Sequence, residues 1–166
     1  MKNLILSITA LFITLSVSSQ TIVDAAASNK DFSTLVTALK AADLVGALSG
    51  EGPFTVFAPN NDAFGKIDSE TLGSLLKPEN VKALSNILTY HVVSGKLMAS
   101  DVTKALKDGY GRVKLTALNG QTFVARSKGG KIFLKDQNGD MSEVIATDVV
   151  GTNGVIHVID SVIMPE

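Results

Sequence analysis

Two imidazoles, at His91 and His157, are the side chains whose ordinary pKa suits proton transfer near neutral pH. Neither has a second His at i+4 or a Glu beside it, so neither reads as a zinc-binding helix. The chain contains no Cys, which removes disulfides, thiolate zinc ligands and thiol catalysis together. Ser94-Gly95 lacks the Gly-x-Ser-x-Gly frame of a hydrolase nucleophile, so hydrolysis is an alternative without a motif behind it. Asp136-Gln137-Asn138-Gly139-Asp140 sets oxygen ligands at alternate positions, as a calcium loop would. Met141 and Thr147 then stand where that loop needs Gly and Glu, and the segment reads as a polar hairpin turn. Gly129-Gly130-Lys131 is too short to cradle a phosphate and reads as a tight turn. No metal, cofactor or catalytic set is expected.

The remaining candidates are recognition residues. His157 shares a strand face with Val155 and Ile159, the pattern of a buried imidazole satisfied by hydrogen bonds. His91 follows a helix end and precedes two valines, so it either supports the fold or contacts a partner. Tyr90 is expected to pack its ring while its hydroxyl reaches a partner atom. Asp148 comes at the end of a strand segment, ahead of Gly151-Thr152-Asn153-Gly154. Its carboxylate either bonds its own turn amides or, beside Val149 and Val150, meets a partner.

These residues need elements to hold them. Thr21 and Asp24 have capping-box spacing for a helix through Ala27. Asp31 is placed to cap a second helix, with Phe32, Leu35, Val36 and Leu39 along one stripe. Leu44–Leu48 adds a turn, Asp68 or Ser69 caps Glu70–Leu76, and Pro78 opens a helix with Val81, Leu84, Ile87 and Leu88 on one face. Ser100 is placed to cap Asp101–Leu106. Beyond Gly109 the period changes to two. Strands are expected over Arg112–Leu118, Gln121–Arg126, Lys131–Lys135 and Ser142–Thr147, with corners at Asn119-Gly120, Gly129-Gly130 and Asn138-Gly139. Phe54–Ala58 and Val155–Ile159 are apolar on both faces, which predicts that they lie deep and join the helical and stranded halves into one α+β domain.

The chain has 166 residues, enough for one core, with 15 Lys+Arg against 16 Asp+Glu. A net charge of −1 gives no overall basic field for a nucleic acid. Residues 1–20 read as a secretory signal: Lys2, an apolar stretch from Leu4 to Val17, then small residues Ser18 and Ser19. That stretch is too short to span a bilayer, so residues 21–166 are expected as a secreted or periplasmic domain with no membrane span.

Phe54-Thr55-Val56-Phe57-Ala58-Pro59-Asn60-Asn61-Asp62-Ala63-Phe64 resembles the first signature segment of the fasciclin domain family. Thr152-Asn153-Gly154-Val155-Ile156-His157-Val158-Ile159-Asp160 resembles its second, and Tyr90-His91-Val92-Val93-Ser94-Gly95-Lys96 its central Tyr-His segment. Asn60 stands where Thr is usual and Ser94 where Pro is common. The resemblance implies a wedge-shaped β-sandwich wrapped by short α-helices, and an adhesion or matrix module in place of an enzyme. In animal members integrin binding is attributed to an Asp-Ile pair before the second segment and to the Tyr-His segment. Here those positions are Asp148-Val149 and Tyr90-His91. The short leader and single domain look bacterial, so the implied partner is a cell-surface or matrix protein or glycan in place of a native integrin. A small-ligand carrier with a pocket between helices and sheet is the alternative.

Overall fold

The computed structural model describes residues 20–166; the leader reading, Gln20 apart, lies outside the described residues. Helix α1 (Ile22–Ser28) begins at the expected capping box, with Thr21 Oγ1 accepting from the Asp24 amide at 3.2 Å and the Asp24 carboxylate accepting from the Thr21 amide at 2.9 Å. The expected cap of the second helix is corrected. A 3-10 turn at Lys30–Phe32 precedes α2 (Ser33–Ala41) and absorbs Asp31, while Asn29 caps that turn. The cap of α2 comes from far along the chain: Asn61 Oδ1 accepts from the Thr34 amide at 3.0 Å and from Ser33 Oγ at 3.2 Å.

Next come α3 (Val45–Leu48), β1 (Phe54–Pro59), α4 (Asn61–Gly65, capped by Asn60), α5 (Ser69–Leu75, capped by Asp68) and α6 (Val81–Tyr90). After β2 (Val92–Ser94), α7 (Ala99–Asp108) starts one residue before Ser100, which is therefore inside the first turn and not its cap. The Asp101 carboxylate reaches back to the Met98 amide at 2.9 Å instead. The strands β3 (Arg112–Thr116), β4 (Thr122–Lys128), β5 (Lys131–Lys135), β6 (Met141–Gly151) and β7 (Gly154–Ile159) follow, with β6 running four residues past the expected end at Thr147 so that Asp148 lies within it.

The strands form one sheet in the order β2-β1-β7-β6-β5-β4-β3. Strands β1 and β7 pair in parallel, Phe54 opposite Gly154 through Pro59 opposite Ile159, and all other pairs are antiparallel. An isolated bridge between Val93 and Ala117 brings the two outer strands together, so the sheet nearly closes. The double-sided apolar pattern of β1 and β7 now has its cause. One face packs Val56, Ala58 and Ile156 under α1, α2, α3 and α6, with Phe32, Leu35 and Leu84. The other packs Phe57 and Ile159 against Tyr90, Phe123 and Leu134 inside the curled sheet. Phe57 and Phe123 meet edge to face at 5.5 Å. Where the parallel pair starts only Gly fits: a Cβ on Gly154 would lie 2.2 Å from the Phe54 carbonyl oxygen.

Candidate partner-binding surface

The β6 strand carries Asp148 through two register shifts, one between Val144 and Ala146 and one between Ala146 and Val149. These bulges put Asp148 in the left-handed region at φ 60°. Asx side chains tolerate that conformation better than most. The side chain is exposed but engaged: its Oδ1 accepts from the Ala99 amide at 2.8 Å, at the start of α7. Asp148 thus caps another element and does not bond its own turn amides, the first of its two expected roles. Its own amide points to His157 Nδ1 at 3.4 Å, while His157 Nε2–H donates to the Leu97 carbonyl at 2.7 Å. That carbonyl can only accept, which fixes the tautomer. His157 and Asp148 together moor the entrance of α7 to the sheet. Asp148→Ala is expected to lose about 1 kcal/mol of stability, with Asp148→Asn losing less, as read by urea unfolding.

Tyr90 and His91 are buried, at 0% and 2% exposure, so in this fold they offer a partner no surface. Tyr90 packs its ring, and His91 takes the supporting one of its two expected roles. Tyr90 donates its hydroxyl to the Thr122 carbonyl at 3.0 Å and stacks edgewise on Phe123; burial, helped by the Asp136 charge, pushes its phenol up to about 12. His91 Nδ1–H donates to the Ile87 carbonyl at 2.8 Å, and its Nε2 accepts from the Ile163 amide at 3.1 Å. Burial lowers its pKa to about 4, against a smaller opposing effect of the Ile87 carbonyl. Both imidazoles therefore have both ring nitrogens bonded to backbone groups.

Beside Asp148 the surface is apolar. Strand β5 pairs with β6 only from Met141 to Glu143, so beyond Glu143 the only strand pairing with β6 among the described residues is β7. Every residue from Ile145 to Val150 is exposed, with Ile145 at 48% and Val150 at 54%. Val149 belongs to this strip as expected; Ile145 was missed, although its alternation with inward Val144 would have marked it. The Asp136–Asp140 segment is a turn whose Asp136 carboxylate accepts from the Asp140 and Met164 amides. An open cleft of about 390 Å³ lies between α7 and the sheet, lined by Thr103, Leu106 and Ile132, whereas the apolar cavity under the N-terminal helices, lined by Ile22, Leu35 and Ile156, measures about 10 Å³. That is room for about one water and not for an organic ligand.

The sequence profile of the Fasciclin domain matches residues 30–165. The chain belongs to the fasciclin domain family. It is 50% identical over 148 residues to protein sll1483 of Synechocystis sp., covering 89% of this chain and 75% of that protein. It is 36% identical over 141 residues to human periostin, covering 82% of this chain and 15% of periostin. Its fold superposes on a FAS1 domain pair from the insect cell adhesion molecule fasciclin I with a TM-score of 0.75 at 21% identity, covering 86% of this chain and 50% of that one.

In this fasciclin domain the polar residues of the signature segments are structural clasps. Asn60 and Asn61 cap α4 and α2. Asn153 Oδ1 accepts from the Ile22 amide at 2.9 Å while its Nδ2 donates to the Leu48 and Gly50 carbonyls, both at 2.8 Å. Asp160 accepts from the Glu143 amide and pairs with Lys66. No motif marks Asn153; only its place before Gly154 in a hairpin turn hints at its role.

Proposed function

We propose that this fasciclin domain is an exported, non-catalytic binding module that docks a cell-surface or matrix protein along the open edge of β6. The observation behind this is the exposed run from Ile145 to Val150, three β-branched aliphatics on a strand edge that, among the described residues, no strand pairs beyond Glu143. Such an edge invites pairing. The two bulges prevent a flat ladder from adding to it, which leaves the side chains of Val149 and Val150 as the contact. Asp148, whose Oδ1 is committed to α7, ties the strip to that helix's entrance. The insect protein that shares the fold is described as a cell adhesion molecule, which supports the same class of role. Immobilised protein should enrich a partner from surface or matrix extracts, and Val149→Asp with Val150→Asp should cut that enrichment about tenfold or more. Undiminished enrichment by a folded double variant would remove this surface from the account.

A further inference from the structure

Charge in this chain is segregated in a way its net value hides. Residues 112–135 hold six Lys/Arg and no Asp/Glu, a local +6, while the rest of the sequence sums to −7. Strand register shows where these cations point. Across the sheet Arg112 faces Arg126, which faces Phe133; Lys114 faces Val124, which faces Lys135; and Lys128 faces Lys131. Direct cross-strand partners share a face, and the alternate residues Ala125 and Leu134 are buried, so all six cations lie on the outer face. Of these six, only Lys131 has a carboxylate within ion-pair distance among the described residues, Glu143 at 2.7 Å.

This arrangement is costly for folding, because like charges placed directly opposite on antiparallel strands repel. Protection of a sheet edge explains cations on an outermost strand, but here they continue inward across β4 and β5. A shallow depression lined by Tyr110, Arg112, Arg126, Lys128 and Met141 crosses the face. Tyr110 stands at its rim, 98% exposed, in the left-handed region at φ 53°. Its ring is left free for stacking.

We propose that the outer face of β3–β4–β5 binds an acidic polysaccharide, pairing its carboxylate or sulfate groups with Arg112, Lys114, Arg126 and Lys128 and resting a sugar ring on Tyr110. This surface is separate from the β6 edge and stands or falls independently of it. A polysaccharide fits better than a nucleic acid on two grounds. Single strands need successive aromatic platforms, and this face exposes one fully, Tyr110, beside a half-buried Phe133. Duplex DNA carries a dense charge over a wide field, which the surrounding −7 opposes.

The test is equilibrium binding of the purified protein to dextran sulfate, polygalacturonate, uncharged dextran, and single-stranded and duplex DNA, between about 50 and 200 mM salt. At least one acidic polysaccharide should bind, with affinity falling steeply as salt rises, and dextran should not. Arg112→Gln with Arg126→Gln should weaken binding about tenfold or more while the melting temperature holds or rises, since repulsion is relieved. Lys114→Gln with Lys128→Gln is the second variant should the first fail to fold. Lys40→Gln with Lys82→Gln, on exposed helical positions, should leave binding unchanged. Absence of binding to both acidic polysaccharides, an equal loss in the Lys40/Lys82 control, or DNA binding as tight as polysaccharide binding would each overturn the proposal.

Discussion

Asn153→Ala should destabilise the domain by about 3–5 kcal/mol, measured by urea unfolding of variant and parent under identical conditions. One amide serves three backbone groups from two helical regions: the Ile22 amide at the start of α1 and the carbonyls of Leu48 and Gly50 at the end of α3. Truncation leaves them without their partner in a site where Asn153 is buried. Each unsatisfied buried group costs about 1–3 kcal/mol, with partial relief at Gly50, whose bond is only half-buried. Asn153→Asp is the sharper companion. It keeps the acceptor for Ile22 but sets a carboxylate oxygen against two carbonyl oxygens, so it should not rescue. Recovery by Asp would mean that the Ile22 bond alone carries the effect.

Stability should also fall by up to about 3 kcal/mol as pH drops from 6.5 to 4, through His91. The unfolded imidazole takes up a proton near its ordinary value of 6.5, whereas the folded one resists until about 4. Between those values the unfolded chain binds more protons, so acid favours unfolding; the contribution is fully present above 6.5. The geometry explains the resistance. A proton added at Nε2 would face the Ile163 N–H, donor against donor, and release the C-terminal segment from the end of α6. Urea midpoints measured across this range should slope downward in acid. His91→Gln should start lower at pH 7 and show a flatter slope, and a slope unchanged by the substitution would assign the effect elsewhere.

Strands β1 and β7 were legible because residues buried on both faces leave a continuous apolar run, and the hairpins because Asn-Gly and Gly-Gly corners need positive φ. The helix caps were legible only where they are local, as at Thr21 and Asp68. For α2, and for the Ala99 amide of α7, the partners are Asn61 and Asp148, residues brought near by tertiary folding, and no spacing in the sequence announces them. The candidate site divides in the same way. Val149 beside Asp148 was visible as an apolar-acidic pair. Tyr90 packs its ring as its amphipathic side chain suggests, but which of two roles His91 takes is decided only when the curled sheet closes over the end of α6. The bulges that turn Asp148 toward α7 leave no compositional trace in β6.

The parallel pairing of β1 with β7 has a consequence during synthesis. Nearly a hundred residues separate Val56 from its partner Ile156, and the helices can bury their apolar stripes fully only on the finished pair. A ribosome must therefore release almost the entire polypeptide before the first half can lock. Until then the chain stays threadable, the condition under which a polypeptide can be passed through a narrow translocation channel.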